Sequence, residues 1–418
     1  MKIKTKKLSY EEVLALPDRK HKKPVKPNTL LRKIMVAISE IELKKVGFNY
    51  DEIGMEKISD DEPCLILMNH SSFIDLKIAE TVFCDRPLQI VCTSDGFVGK
   101  EGLMRRAGCI PTQKFVTDLA LVKDMKYCVE ELKTSVLLYP EASYSFDGTA
   151  TPLPNSICKF IKMLGVPVVF VETFGAFHRD PLYNGLRLRD VNVSAKVTCI
   201  LSKEDVIKKS QTEIKKIIDD CFSFDYFRWQ KENKIKVDED FRTLGLERVL
   251  YKCPYCREEG YMEGTGVKIV CKSCGKEYVM TEYGEIVSED DGKTFHIPAW
   301  YRWQRQCVKE ELQSGTYELD IPVDIKILKD MNAIYEVGEG RLIHNKDGFH
   351  LTGCDGKLNY KQAVKSSYSL YSDYFWYEIG DMICIGDNKV LYYLFPKTEN
   401  VVVAKARLAT EELYKIKA

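Results

Sequence analysis

Cys64-Leu65-Ile66-Leu67-Met68-Asn69-His70-Ser71-Ser72-Phe73-Ile74-Asp75 is the stretch on which the reading of this chain turns. Leu65–Met68 is a short apolar run of the kind that forms a buried strand, and the polar turn after it carries His70. A helix is expected to begin near Asp75. A buried strand holds the residues at its end on a rigid edge, where a catalytic side chain needs to be. A carboxylate five positions after a histidine can fold back to the imidazole and fix its tautomer, leaving the other ring nitrogen free to take a proton. The same spacing also describes a capped helix start beside a surface histidine, so the neighbouring stretches must decide.

Outward from this point, residues 56–202 alternate between strand-like and helix-like patterns. Apolar, β-rich runs fall at 65–68, 88–92, 136–139, 166–171 and 193–201, and helical segments at 74–83, 117–133 and 156–164. This alternation predicts an α/β domain with a parallel or mixed sheet and its site beyond the strand ends. A further helix over 203–221 is expected to close it.

Three more stretches follow in order: Gly108-Cys109-Ile110-Pro111-Thr112-Gln113-Lys114 after Gly99-Lys100-Glu101, then Leu137-Leu138-Tyr139-Pro140-Glu141-Ala142-Ser143-Tyr144-Ser145, then Gly165-Val166-Pro167-Val168-Val169. Each is a common strand end by itself. Together with Asn69-His70 and Asp75 they resemble, in order and spacing, the four motifs of the glycerolipid acyltransferases (the 1-acylglycerol-3-phosphate acyltransferase family) over about residues 55–205. The resemblance implies acyl transfer from a thioester, acyl-CoA or acyl carrier protein, to a hydroxyl of a lysophospholipid such as 1-acylglycerol-3-phosphate. His70 would be the general base and Asp75 its orienting carboxylate. Lys114 would meet the acceptor phosphate, Glu141 would position the acceptor, and Ser143 and Ser145 would complete the substrate-binding set. Backbone amides after His70 or near Gly108 are the candidate oxyanion donors.

The chain departs from the family pattern where cations are concerned. Lys114 stands for an arginine and keeps the charge without the bidentate fork. Tyr144 replaces the arginine of the third motif, Ala142 its glycine and Ser143 its threonine. Pro152-Leu153-Pro154-Asn155-Ser156 replaces a lysine-bearing segment. These departures weaken the expectation of a phosphomonoester acceptor. They also keep open a silent, lipid-binding or scaffold protein on the same fold.

Length and composition bound the rest. A chain of 418 residues, 45% apolar and 30% charged, is expected to fold as two or three globular domains. The formal net charge of +0 argues against nucleic acid as a partner of the whole protein. Residues 1–36 carry eleven Lys and Arg against three Asp and Glu, and the first 27 read as loosely structured. A helix over 29–46 sets Leu31, Ile34, Met35, Ile38 and Ile41 on one face beside Arg32, Lys33, Lys44 and Lys45. It reads equally as an interfacial helix or as one packed on its own domain. No apolar run reaches the roughly 18 residues of a membrane span. No signal peptide is evident, and the cysteine usage fits a reducing cytosol. The expected location is therefore cytoplasmic, peripheral on the inner face of the cell membrane.

Farther on, Cys253-Pro254-Tyr255-Cys256 and Cys271-Lys272-Ser273-Cys274-Gly275 form two knuckles separated by fourteen residues. That spacing points to a closed, structural zinc ribbon of four thiolates, with no open position for catalysis. Beyond it come a helix that starts near Trp300 and Trp303, many short strands from 317 to 395, and a last helix over 398–415. The pattern resembles a pleckstrin-homology-like barrel, and the two tryptophans read as core or, less often, as interfacial anchors. The domain boundaries so drawn are 1–50, 51–222, 223–294 and 295–418.

Overall fold

The protein is described here from a computed structural model that covers residues 2–116, 118–398 and 400–417. Leu65–Met68 lies at the centre of a seven-stranded sheet, in the order Asn49–Ile53, Ser194–Leu201, Val168–Phe174, Leu65–Met68, Ser135–Leu138, Leu88–Thr93 and Cys109–Thr112. Every pairing is parallel except that of Val168–Phe174 with Ser194–Leu201. All four residues of Leu65–Met68 are fully buried, as a strand covered on both faces requires. Leu65 and Leu67 pack with Met125, Ile161 and Ile214 of the helices on one face. Ile66 and Met68 pack with Ile74, Ile78 and Leu43 on the other. Because the central strands are parallel, the residues that follow Leu65–Met68, Ser135–Leu138 and Cys109–Thr112 emerge along one edge. Gly108 starts the last of these at φ +94°, and a Cβ there would meet the Leu88 carbonyl oxygen at 2.7 Å.

Two expectations are corrected. The helix over 203–221 is two helices, Lys203–Lys208 and Gln211–Cys221, each begun by a capping box, Ser202 with Asp205 and Ser210 with Glu213. Residues 2–27 are not loose. Thr5–Lys7 pairs in parallel with Ile334–Glu336 near the other end of the chain, and Ser9 caps a short helix, Tyr10–Ala15, whose Val13 is fully buried. Thr117, the first residue of one expected helix, and Glu399, inside another, lie outside the described residues; those helices are seen as Leu119–Glu130 and Val403–Lys417.

The knuckle region is a five-stranded antiparallel sheet of short strands, from Met262–Thr265 to Thr294–His296. Its last strand runs straight into the helix Ile297–Ser314, whose Trp300 is buried and donates its Nε1–H to the Lys252 carbonyl at 2.9 Å, a core tryptophan. Seven antiparallel strands then form the C-terminal sheet, in the order Leu358–Ala363, Gly348–Gly353, Ile334–Asn345, Leu319–Leu328, Leu391–Pro396, Gly380–Gly386 and Tyr371–Trp376. The helix Val403–Lys417 packs against Ile297–Ser314. One hydrophobic cluster runs through Val13, Phe146, Phe177, Ile286, Trp300, Val323 and Leu408, so the expected boundaries do not separate independent cores.

Candidate active site

His70 follows the central strand and Asp75 opens the helix Asp75–Val82. Asp75 is fully buried, and its Oδ2 lies 3.2 Å from His70 Nδ1 while accepting the amides of Ser71 at 2.8 Å and Ser72 at 3.0 Å. The two amides fix the carboxylate, and the carboxylate fixes the ring with its proton on Nδ1. Nε2 is left with its lone pair toward solvent or substrate. The imidazole is sandwiched between Tyr139 and Tyr144, with ring centroids 4.2 and 3.9 Å away. Burial lowers the His70 pKa and the Lys114 charge lowers it further, while Asp75 pulls the other way.

The backbone of the histidine is clamped by the Pro140–Ser145 loop from the adjacent strand. Glu141 Oε1 accepts the His70 amide at 3.2 Å, and the Ser145 amide donates to the His70 carbonyl at 3.1 Å. The other oxygen of Glu141 takes the Thr151 amide at 2.7 Å. Burial pushes the Glu141 carboxyl up to about 7, against these two amide donors that favour its ionised form. Ala142, between them, sits at φ +52°, in the left-handed region that costs a side-chain-bearing residue about 1–2 kcal/mol. Ala142→Gly is therefore expected to stabilise the protein by about 1 kcal/mol, read as a higher denaturation midpoint in urea.

A cavity of 1210 Å³ opens beside His70. One group of lining residues, Val91, Leu121, Met125, Ile157 and Phe160, belongs to the apolar core and its fringe. A second group is polar and aromatic: Lys114 from the sheet edge, Asp95, and Tyr368, Tyr371 and Asp373 from the C-terminal module. Lys114 Nζ lies 4.5 Å from the Tyr371 ring centroid and 5.8 Å from that of Tyr144. Burial lowers the Lys114 pKa, opposed by Asp373 and Asp95.

Residues 50–171 match the Acyltransferase family. The chain carries an acyltransferase domain. Relatives of this acyltransferase domain include a chloroplastic 1-acyl-sn-glycerol-3-phosphate acyltransferase of Brassica napus, 28% identical over 140 residues, which are 31% of this chain and 38% of the relative. The human 1-acyl-sn-glycerol-3-phosphate acyltransferase beta is 24% identical over 137 residues, 32% of this chain and 49% of the relative. In both cases the chain spans less than half the length of the relative. Among solved structures, the 1-acyl-sn-glycerophosphate acyltransferase PlsC of Thermotoga maritima is 17% identical with a TM-score of 0.37, covering 50% of this chain and 81% of that one.

Within the acyltransferase domain the expected site residues divide. His70, Asp75 and Lys114 come together; His70 and Lys114 line the cavity, with Asp75 behind the histidine. Glu141, Ser143 and Ser145, expected as substrate contacts, are not among the residues that line it. Both Glu141 oxygens are used by backbone amides. The Ser145 hydroxyl donates to the Thr149 carbonyl at 2.6 Å, and that of Ser143 is turned to the Tyr144 carbonyl at 3.4 Å. The candidate oxyanion donors are likewise committed elsewhere: the Ser71 and Ser72 amides to Asp75, and the Gly108 amide to the Arg105 carbonyl at 3.0 Å. Beyond Tyr144, noted in the sequence only as a missing arginine, the residues it did not point to are Tyr139, Asp95 and the C-terminal wall. A readable signal was present in Tyr371-Ser372-Asp373-Tyr374-Phe375-Trp376-Tyr377, five aromatics in seven positions.

Cys253, Cys256, Cys271 and Cys274 converge with all Sγ atoms within 4.8 Å of one another. Two of the separations are 3.8 Å (Cys253 to Cys274) and 3.7 Å (Cys256 to Cys271). A tetrahedral four-thiolate zinc shell with Zn–S bonds of about 2.3 Å has S···S edges of about 3.8 Å, so the donor set fits. Gly275 and Arg257 hold the equivalent place after each knuckle, at φ +76° and +67°.

Proposed function

We propose that this protein is an O-acyltransferase that moves an acyl group from a thioester, acyl-CoA or acyl carrier protein, to a hydroxyl of a lysolipid. The lysophospholipid in the names of its relatives is the starting point for the acceptor. The observation that carries the reading is the Asp75–His70 pair on the wall of a cavity large enough for an acyl chain and a head group. In the proposed reaction the acceptor oxygen attacks the thioester carbonyl as His70 Nε2 takes its proton. The tetrahedral intermediate collapses, the C–S bond breaks, and the leaving thiolate takes the proton from the imidazolium. Ester and thiol are the products. Asp75 and the two flanking tyrosine faces stabilise the transient imidazolium, and no acyl-enzyme forms. The apolar lining group would take the acyl chain.

The four thiolates are assigned to a structural zinc ion, closed to substrate. The seven antiparallel strands and final helix support the pleckstrin-homology-like reading of the C-terminal module. Membrane contact is assigned to Thr29–Lys45. Its buried face carries Leu43, Ser39 and Arg32, the last paired with Glu80 at 3.7 Å, while Leu30, Ile34, Ile38 and Ile41 are exposed. A packed helix that still leaves four large apolar side chains exposed suits an interface, with Lys33, Lys44 and Lys45 available to anionic head groups. Phe73, 51% exposed, lines the cavity and stands near this helix's partner, Asp75–Val82. No helix among the described residues is long and apolar enough to cross a membrane. An inner-face, cytoplasmic location is part of this proposal. Replacing both Ile34 and Ile38 with Asp is expected to lower co-sedimentation with anionic liposomes by about tenfold or more.

The test is thiol release from long-chain acyl-CoA and acyl carrier protein, with and without a panel of lysolipids. Acceptor-dependent release supports the transferase; no turnover with either donor, with liposome binding retained, overturns it in favour of a silent lipid-binding protein. The pH profile adds a check. His70 must be neutral to act as base, and its pKa is lowered from 6.5, so kcat/KM should hold through pH 6.5 and fall only below it.

A further inference from the structure

The catalytic cavity is not closed by the acyltransferase domain alone. Its polar end is walled by the C-terminal strand Tyr371–Trp376, the turn that follows, and the helix Val403–Lys417. The wall is tied down from both sides. Asp95, on the acyltransferase side, accepts the Tyr371 hydroxyl at 2.7 Å and the Trp376 Nε1–H at 3.1 Å. Arg407 of the last helix donates to the Tyr144 carbonyl at 3.3 Å, and Tyr374 stacks on Phe146 with centroids 4.6 Å apart. The strand is bulged between Asp373 and Trp376, and Phe375, Tyr377 and Glu378 take left-handed φ values of +54°, +47° and +64°. Bulges and strained backbone of this kind re-aim side chains at sites.

What the bulge presents is Asp373. Its carboxyl lines the cavity and is bonded within the fold through one oxygen to the neighbouring Tyr374 amide at 2.9 Å. Its strongest charged neighbour is Lys114, followed by Asp95 and Asp381. Lys114 is the cation that acts on His70, and it already faces two tyrosine rings and the charges of Asp373 and Asp95. The other lysines of the lining are Lys415, paired with Glu412 at 2.7 Å, and Lys365, exposed on the turn Val364–Ser366. In 1-acylglycerol-3-phosphate the phosphate is on the carbon next to the reacting hydroxyl. With that hydroxyl at His70, a phosphomonoester would have to share Lys114 with two carboxylates. Like charges so placed act against the wrong ligand, whereas a carboxylate, an ammonium and phenol hydroxyls together match the donors and acceptors of a polyol.

We propose that the C-terminal module builds the acceptor half of the catalytic site, and that Asp373 opposite Lys114 selects an acceptor with an uncharged, hydroxyl-rich head group over a phosphomonoester. This rests on the transferase reading and narrows its acceptor. Burial pushes the Asp373 carboxyl up to about 7, so the discrimination is expected to sharpen as pH rises through that value and the carboxyl ionises. Asp95 and Lys114, which face it, act in opposite senses on that titration.

The experiment compares decanoylglycerol with decanoylglycerol phosphate on the whole 418-residue chain, metal-loaded, as wild type, Asp373→Asn and Asp373→Ala. Turnover is read by thiol release and binding by titration calorimetry. Wild type should prefer decanoylglycerol by about tenfold or more, and both variants should move the ratio about tenfold toward the phosphate. A wild type that prefers the phosphate, or a ratio unmoved in folded variants, overturns the proposal. If no lipid is turned over but calorimetry shows the same preference, the transferase reading falls and the assignment of Asp373 stands. Wild-type preference alone decides the matter should neither variant fold.

Discussion

His70→Ala is expected to lower acceptor-dependent thiol release by about 10²–10⁴-fold while leaving the thermal transition and metal content in place. The size follows from what the ring does. It is the only group on the cavity wall whose proton-accepting nitrogen is oriented by a fully buried carboxylate, among the described residues. Its removal deletes the base and leaves the cavity and the thioester's own reactivity intact. Asp75→Asn should come close to the same loss, for a different reason. The Asp75 oxygen that holds Nδ1 also receives the Ser71 and Ser72 amides, and an asparagine that satisfies them no longer has a charge to stabilise the imidazolium. The ring itself stays stacked between Tyr139 and Tyr144, so the variant tests charge and tautomer with position largely preserved. Retention of more than about a tenth of the wild-type rate in His70→Ala would remove the histidine from the chemistry.

Loss of the metal is the second large effect. One zinc ion per chain is expected, and Cys271→Ser or prolonged chelation should abolish the cooperative thermal transition of the ribbon region and, with it, activity. Structural zinc sites bind with about 10–16 kcal/mol of apparent free energy that the fold depends on. Here the strands around the cysteines are three or four residues long, too short to hold a sheet by apolar burial alone. The damage would travel. Tyr278 of the ribbon packs edge-on against Trp300 at 5.2 Å, and Trp300 lies on Ile297–Ser314, which packs against the helix that carries Arg407 and walls the cavity. The contrast with His70→Ala is diagnostic: activity lost with the fold retained in one case, activity and fold lost together in the other. A chelated protein that keeps both would overturn the structural role.

Much of this site was legible because its signals are local. A four-residue apolar run bounded by polar turns, a histidine at its end, and two Cys-x-x-Cys knuckles each announce their chemistry within a dozen residues. The break in the helix over 203–221 was legible too, in Ser202-Lys203-Glu204-Asp205 and Ser210-Gln211-Thr212-Glu213, capping boxes that interrupt the apolar spacing. Other features were not. Glu141, Ser143 and Ser145 match a family pattern that implies contact with substrate, yet their side chains serve the loop that holds His70. Sequence identity does not tell a group that touches the ligand from one that supports it. The aromatic run Tyr371–Tyr377 marks the C-terminal wall as unusual, but its place at this cavity could not be read because its partners lie hundreds of positions away. Asp373 gains its meaning only beside Lys114, and no spacing rule joins them.

Thr5–Lys7 carries a consequence for how the molecule is made. This strand is made well before Ile334–Glu336, the segment it pairs with more than 300 positions later in the chain. Until then it has no sheet to join, and the basic residues around it stay free. Closure of so long a loop belongs late on any folding route, since contacts this distant in sequence form slowly. The edge of the C-terminal sheet at Ile334–Glu336 is therefore completed late, by a segment that has waited through most of synthesis for its partner.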